Sequence, residues 1–430
     1  MRGGRYIVVD SLMKIFLISL FFCLSAKAAS LTISGISSGG AMAAQMGVIY
    51  SEHFSGVATV AGTFYYCAGD DFVTKMQASE KLGTFNSSLF KMRIDREHMF
   101  SFNPKAIFDL DPANPMYTAV SVCMKNPARA VMPVDAMAEF EKQNLINPLV
   151  SIRNQKILLY QGQNDSVVNP QMAEKLSEFY LQNGVSPQSL MQITRPGGHN
   201  FPTDKVGLNS CATEKTPYVS SCNFNLAEKI LAHLTGIKEL KRTEIKASTE
   251  LLKVVSQDRS GLTRPRSLAP YGYLAASEKC LKNPDSCHLH VALHGCEMSD
   301  AYDATFDSRY VNAARAGYYQ MRTKANSFLL SPLPYIEQKK NGMAGLKFAH
   351  ASGYLDYVEA NDLMVLFPQT DITELNYPLN PKGCWDWYGW TGADYATNRG
   401  VEPTWLMAWI QDIRKAPQSF IILVANANLR

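Results

Sequence analysis

The sequence predicts an α/β protein, a mostly parallel central sheet flanked by helices. Three observations carry that expectation. Apolar runs of strand length recur at 31–36, 54–62, 156–162, 189–194, 288–293 and 363–369. Helix-length segments at 38–50, 171–183 and 403–414 stand between or beyond them, as parallel strands need crossovers. Residues able to do chemistry, Ser37, Asp165 and His199, each come just past a strand, on the edge where parallel sheets bind ligands.

The 430 residues are 46% hydrophobic and 19% charged, an ordinary globular composition. A net charge of +4 is carried mostly by Arg2, Arg5, Lys14 and Lys27 near the start. No basic stripe with interleaved aromatics appears, which argues against nucleic acid as a partner. Lys14 precedes an apolar run at 15–24, and Ala26-Lys27-Ala28 has a small-x-small cleavage pattern. Residues 1–28 are therefore expected to be a signal peptide, with Met13 an alternative start. The run is short for a membrane span, so no stable membrane anchor is expected, and Cys23 lacks the small residues that precede a lipid-attachment site. The mature chain is expected to be secreted or periplasmic, with residues 29–430 forming one catalytic domain.

Nine cysteines include Cys23, leaving eight in the mature chain. An even count in an exported chain suggests disulfides, and the spacings lack the paired C-x-x-C pattern of a zinc site, so no metal is expected. Proximity suggests Cys211–Cys222 and Cys280–Cys287, which leaves Cys67, Cys123, Cys296 and Cys384 to form Cys67–Cys123 and Cys296–Cys384.

The elements in order begin with strand 31–36 running into Gly35-Ile36-Ser37-Ser38-Gly39-Gly40 and a helix. Gly-x-Ser-x-Gly between strand and helix fits a nucleophile elbow, in which side chains two positions before and after the serine would collide. A Gly/Ser-rich loop is the bland alternative. The run at 54–62 reads as a buried parallel strand. Residues 63–150 read as helices and loops, with a glycosylation sequon at Asn86. Strand 156–162 delivers Asp165, whose alternative role is a turn or helix cap. Helix 171–183 and strand 189–194 lead to His199 in Pro196-Gly197-Gly198-His199, where a histidine can reach over the sheet edge. Helix 224–235 closes this half, and the charged stretch 237–260 reads as a connecting segment. Strands at 269–274 and 288–293 follow, the second running into His294-Gly295-Cys296, and 420–425 reads as a last strand.

Serine, aspartate and histidine in that order at strand ends match the α/β-hydrolase triad. The elbow nevertheless comes almost first, whereas such hydrolases place strands and the oxyanion loop before it. Here a strand ending in His-Gly follows the histidine instead. The chain thus reads as a circularly permuted α/β-hydrolase fold, its permutation joint near 237–260. Permutation is tolerable because a sheet depends on spatial neighbours.

With Gly35-Ile36-Ser37-Ser38-Gly39-Gly40, Leu293-His294-Gly295-Cys296 and Asn380-Pro381-Lys382-Gly383-Cys384-Trp385-Asp386-Trp387-Tyr388-Gly389 in hand, the chain resembles poly(3-hydroxybutyrate) depolymerases, in particular the circularly permuted subgroup. The resemblance implies Ser37 as nucleophile, His199 as base and Asp165 as its orienting acid. It implies an oxyanion hole from the backbone N–H groups of Ser38 and Cys296, no cofactor, and a polyester or oligoester substrate. Trp385, Trp387, Tyr388 and Trp390 are expected to bind that substrate, with core packing as their alternative. No separate polymer-binding domain is expected. A feruloyl or acetyl-xylan type of carbohydrate esterase, and a non-catalytic polymer-binding protein on a hydrolase scaffold, are the alternatives.

Overall fold

The fold is that of a computed structural model, which describes residues 29–69, 115–243, 251–302, 344–373 and 380–422. The expected signal peptide and the Asn86 sequon lie outside the described residues. Eight strands form the main sheet: β1 (Leu31–Ile36), β2 (Gly56–Val60), β3 (Lys156–Gly162), β4 (Leu190–Arg195), and, beyond a small second sheet of β5 (Phe201–Thr203), β6 (Asn209–Ser210) and β7 (Val219–Ser221), β8 (Leu252–Ser256), β9 (Tyr271–Ala276), β10 (His288–Leu293) and β11 (Leu363–Phe367). Their spatial order is β4-β3-β2-β1-β10-β11-β9-β8. The six strands from β4 to β11 in that order run parallel, in five pairs, and β9 opposes both β11 and β8. Counted from β8, the order becomes 1-2-4-3-5-6-7-8, with the antiparallel strand second and the serine strand fifth. This is an α/β-hydrolase sheet entered at its central strand.

Alternation along the strands sorts side chains to the two faces. Ile157 and Leu159 enter one core while Leu158 and Tyr160 enter the other; Met364 and Leu366 oppose Leu363, Val365 and Phe367 in the same way. On the first face lie helices α1 (Ser38–Ile49), α2 (Val134–Lys142), α3 (Met172–Gln182) and, later in the chain, α6 (Val401–Lys415). On the second lie α4 (Leu226–Thr235) and α5 (Ala344–Ala351). Every residue of α1 is buried, which explains its run of glycine, alanine and methionine: only a slim helix fits between β1 and α6. α4 follows the more usual pattern, with Asn225 capping its start through Glu228 N–H and Gly236 in the left-handed conformation ending it.

Polar groups inside the second face are partnered. His290 Nε2 lies 2.8 Å from Ser34 Oγ, and Nδ1 lies 2.8 Å from Thr32 Oγ1. Burial pushes the His290 pKa down to about 3, so this ring ties β10 to β1 as a neutral group.

Two expectations change. The connecting segment is shorter than 237–260, because Leu252–Ser256 is strand β8; Leu252, Val254 and Val255 are buried in it, a signal masked by the neighbouring lysine and serines. Of the expected last strand at 420–425, Phe420 instead ends the 3-10 turn Pro417–Phe420, Ile421 makes a single bridge to Val255, and residues 423–430 lie outside the described residues. Among the described residues, no helix is long and apolar enough to cross a membrane.

Candidate active site

β1 hands the chain to α1 through a single residue. Ser37 sits at φ 57°, ψ −123°, a conformation costing about 1–3 kcal/mol for a side-chain-bearing residue. Its backbone is held from both sides, its N–H donating to Val60 O at 2.9 Å and its carbonyl accepting from Ala41 N–H at 3.0 Å. The hydroxyl makes no capping bond to the helix it precedes. The flanking glycines are required by backbone contact: a Cβ on Gly35 would stand 2.1 Å from Gly39 O, and one on Gly39 would stand 2.2 Å from His294 O.

Asp165 follows β3 and His199 follows β4, the two strands pairing up to Gly162 and Arg195. His199 Nδ1 lies 2.8 Å from Asp165 Oδ2. The carboxylate accepts from Gln161 Nε2 at 2.9 Å on the same oxygen, and from the N–H groups of Val167 and Val168, both at 2.8 Å, on the other. With the acid so supplied with donors, Nδ1 carries the proton and donates it, leaving Nε2 as the ring's acceptor. Both side chains are buried, Asp165 6% and His199 4% exposed. The histidine loop is braced by the Cys211–Cys222 disulfide: Cys211 O accepts from Gly198 N–H at 3.0 Å and Asn200 Nδ2 at 2.7 Å. Ser37 ends β1, and β1 is separated from β3 by β2 alone, about 10 Å at ordinary strand spacing. All three expected side chains therefore stand at one carboxyl edge of the sheet.

A third wall comes from β10. A Cβ on Gly295 would lie 3.0 Å from Ser37 Cβ, so this loop runs against the serine. His294 is fully buried beneath it. Its Nε2 accepts from Thr370 N–H at 3.2 Å, and its Nδ1 therefore donates to Gly295 O at 2.7 Å. Burial pushes its pKa down to about 4, and both ring nitrogens are occupied, so it does not compete with His199 as a base. Cys296 is joined to Cys384. Glu297, at φ 62°, extends the linkage: its N–H donates to Lys382 O at 2.6 Å, its Oε1 pairs with Lys382 Nζ at 2.8 Å, and its Oε2 accepts from Tyr218 OH at 3.0 Å. The Tyr218 ring packs edge-on against His199, with centroids 6.0 Å apart.

The tryptophan-rich segment divides. Trp385 has no exposed surface and Trp387 only 8%. Trp385 instead donates from Nε1 to His294 O at 3.0 Å, and its backbone N–H reaches Ser38 Oγ at 3.3 Å. As a substrate platform Trp385 is thus corrected to a buried strut between the elbow and the Gly295 loop. Tyr388 and Trp390 are half-buried and keep surface to offer. Between them Asp386, which sequence reasoning passed over, accepts from the N–H groups of Tyr388, Gly389, Trp390 and Thr391 at 2.7–3.2 Å, and so shapes the turn that carries both rings. An Asp followed by a glycine-containing turn was the signal for it. Glu402 accepts from Asp386 N–H at 2.7 Å, and Glu214 accepts from His199 N–H at 2.7 Å; neither had a local signature.

The four disulfides are Cys67–Cys123, Cys211–Cys222, Cys280–Cys287 and Cys296–Cys384, as expected. Cys280, Cys287 and Asp362 cluster as a metal site would, but the disulfide takes both sulfurs.

No family model matches the chain. It is 25% identical over 395 residues to a polyhydroxybutyrate depolymerase of Talaromyces funiculosus, covering 89% of each. It is 24% identical over 388 residues to a poly(3-hydroxybutyrate) depolymerase of Delftia acidovorans, covering 89% of this chain and 59% of that one. Among solved structures it resembles the PHB depolymerase of Penicillium funiculosum, and a PHB depolymerase with a serine-to-alanine substitution complexed with an R3HB trimer. Each matches with a TM-score of 0.60 and 23% identity over 90% of this chain and 96% of the other, a likeness of fold. Along 89% of its length, then, the chain is similar to curated relatives that are polyhydroxybutyrate depolymerases, and it shares the fold of the solved ones.

Proposed function

We propose that the chain is an exported serine esterase that hydrolyses the ester bonds of poly(3-hydroxybutyrate) or its oligomers. The observation that carries this is the 2.8 Å bond between His199 Nδ1 and Asp165 Oδ2 at the sheet edge where the Ser37 elbow ends β1. His199 Nε2 takes the Ser37 proton as the hydroxyl attacks the ester carbonyl, and Asp165 holds the tautomer and stabilises the imidazolium. The backbone N–H groups of Ser38 and Cys296 receive the developing oxyanion, Ser38 adding the positive end of the α1 dipole. The alcohol end of the chain leaves with the proton from His199. Water, activated by the same ring, then frees Ser37 as the acid product departs. The reaction uses groups of this chain throughout. Tyr388 and Trp390 offer flat apolar area on which a polyester backbone can lie. Residues 1–28 act as the export signal, and four disulfides suit an oxidising destination.

The test is Ser37→Ala on a short-chain 4-nitrophenyl ester and on 3-hydroxybutyrate oligomers, beside fluorophosphonate labelling of the unsubstituted protein. Turnover is expected to fall by at least about 10³-fold, with labelling confined to Ser37. Undiminished turnover ends the proposal. Faster cleavage of feruloylated sugar than of hydroxybutyrate trimer would move the substrate to carbohydrate esters. Polymer binding without labelling would make the protein a binding module.

A further inference from the structure

The Asp165–His199 contact joins two loops at their side chains; a second carboxylate joins them at their backbones. Glu214 lies in the connection between β6 and β7, inside the loop closed by Cys211–Cys222. Its Oε1 accepts the N–H of Ser166 at 2.9 Å and the N–H of His199 at 2.7 Å. One oxygen thus holds the residue after the acid and the base itself. Its Oε2 accepts from the Ser166 hydroxyl. Gly198 leaves room for the arrangement, since a Cβ there would stand 2.7 Å from Glu214 Cγ. From the far side Lys125 Nζ donates to Ser166 O at 2.5 Å, so the acid loop is gripped between two elements. Burial acts to raise the Glu214 pKa, but the Ser166 hydroxyl and the two N–H groups outweigh it and hold it below the usual glutamate value.

Resting on the triad proposed above, we propose that Glu214 is a positioning residue: by accepting both backbone N–H groups on one oxygen, it sets the separation of the Asp165 and His199 loops and so the aim of the imidazole at Ser37. The small sheet β5-β7-β6, whose β6–β7 connection also lays Tyr218 against His199, is the bracket that carries it. A displacement of about 1 Å at a reacting group can cost about a hundredfold in rate, so the effect belongs in kcat.

The experiment compares Glu214→Ala, Glu214→Asp and Glu214→Gln in the full chain, with Ser37→Ala as reference, measuring kcat, KM and melting temperature on the 4-nitrophenyl ester. Glu214→Ala and Glu214→Asp are expected to lose about tenfold to a hundredfold in kcat with KM within about twofold, the shorter aspartate failing to span both loops. Glu214→Gln is expected to recover most of kcat, because its amide oxygen still accepts both N–H groups and its NH₂ can donate to Ser166 Oγ. Should Glu214→Ala fail to fold, the Asp and Gln variants decide. Equal kcat in all folded variants, or a loss in Gln as deep as in Asp, overturns the proposal. An active Ser37→Ala instead overturns the triad and leaves the Glu214 question with it.

Discussion

Replacing His294 with phenylalanine tests how the Cys296 N–H, proposed as the second oxyanion donor, is aimed. A trans peptide is planar, so its C=O and N–H point opposite ways. His294 Nδ1–H holds Gly295 O at 2.7 Å, which fixes the direction of the Cys296 N–H on the same peptide. Phenylalanine fills similar volume but removes both ring nitrogens. Two buried groups, Gly295 O and the Thr370 N–H at 3.2 Å, lose their ring partner. At about 1–3 kcal/mol each, the folded state should lose about 2–6 kcal/mol. If the freed peptide turns its N–H away from the oxyanion, catalysis loses a donor worth about 10²–10³ in kcat, or about 2.7–4 kcal/mol. KM should change little, because the full negative charge exists only along the path to the tetrahedral state. Burst titration with a 4-nitrophenyl ester counts competent sites, steady-state turnover gives kcat, and thermal melting reports the stability cost. The ring, with its pKa pushed down to about 4, stays neutral across the neutral range, so the deficit should be constant there. A folded His294→Phe protein with kcat within about threefold of the original would refute the reasoning, since the peptide would then be held by something else.

Two further outcomes are expected. Burial first, and Asp386 second, push the Glu402 pKa from 4.5 up to about 8. Between those values the folded chain keeps a proton that the unfolded chain releases, so stability falls as pH rises through that window and levels above it. Glu402→Gln should flatten the melting temperature over that window; parallel curves for the two proteins would count against the assignment. Gly39→Ala should abolish activity, by at least about 10²-fold, because its Cβ would lie 2.2 Å from His294 O, a backbone atom that cannot move without parting the elbow from the Gly295 loop. Retained kcat in a purified Gly39→Ala protein would mean that the contact relaxes without consequence.

The elbow, the strand-end placement of Asp165 and His199, and the permuted order were legible because each is written in local pattern: apolar runs, turn residues, and chemistry at the boundary between them. The two short-spaced disulfides followed from proximity, but the remaining four cysteines can pair in three ways and counting alone does not choose Cys67–Cys123 with Cys296–Cys384. The tryptophans were misjudged in part because an indole surrounded by polar residues looks the same in sequence whether it faces solvent or a neighbouring loop; only the packing of Trp385 beneath His294 and Ser38 distinguishes them. Glu214 left no trace, since it acts through the backbones of residues 15 and 48 positions away. β8 was hidden for a related reason: it is a short edge strand, and Lys253 and Ser256 dilute the apolar pattern of Leu252, Val254 and Val255.

Ser30 donates to His288 Nδ1, 258 positions further along, at the foot of the β1–β10 pairing. A ribosome therefore emits the serine strand 258 positions ahead of one of its two lateral partners. Until β10 arrives, β1 presents an unpaired apolar margin, the kind of edge that invites wrong pairing. Closing so distant a contact is slow by nature. Such a polypeptide carries an incomplete sheet through the synthesis of everything between the two strands, and the serine strand gains its second neighbour only when β10 docks beside it.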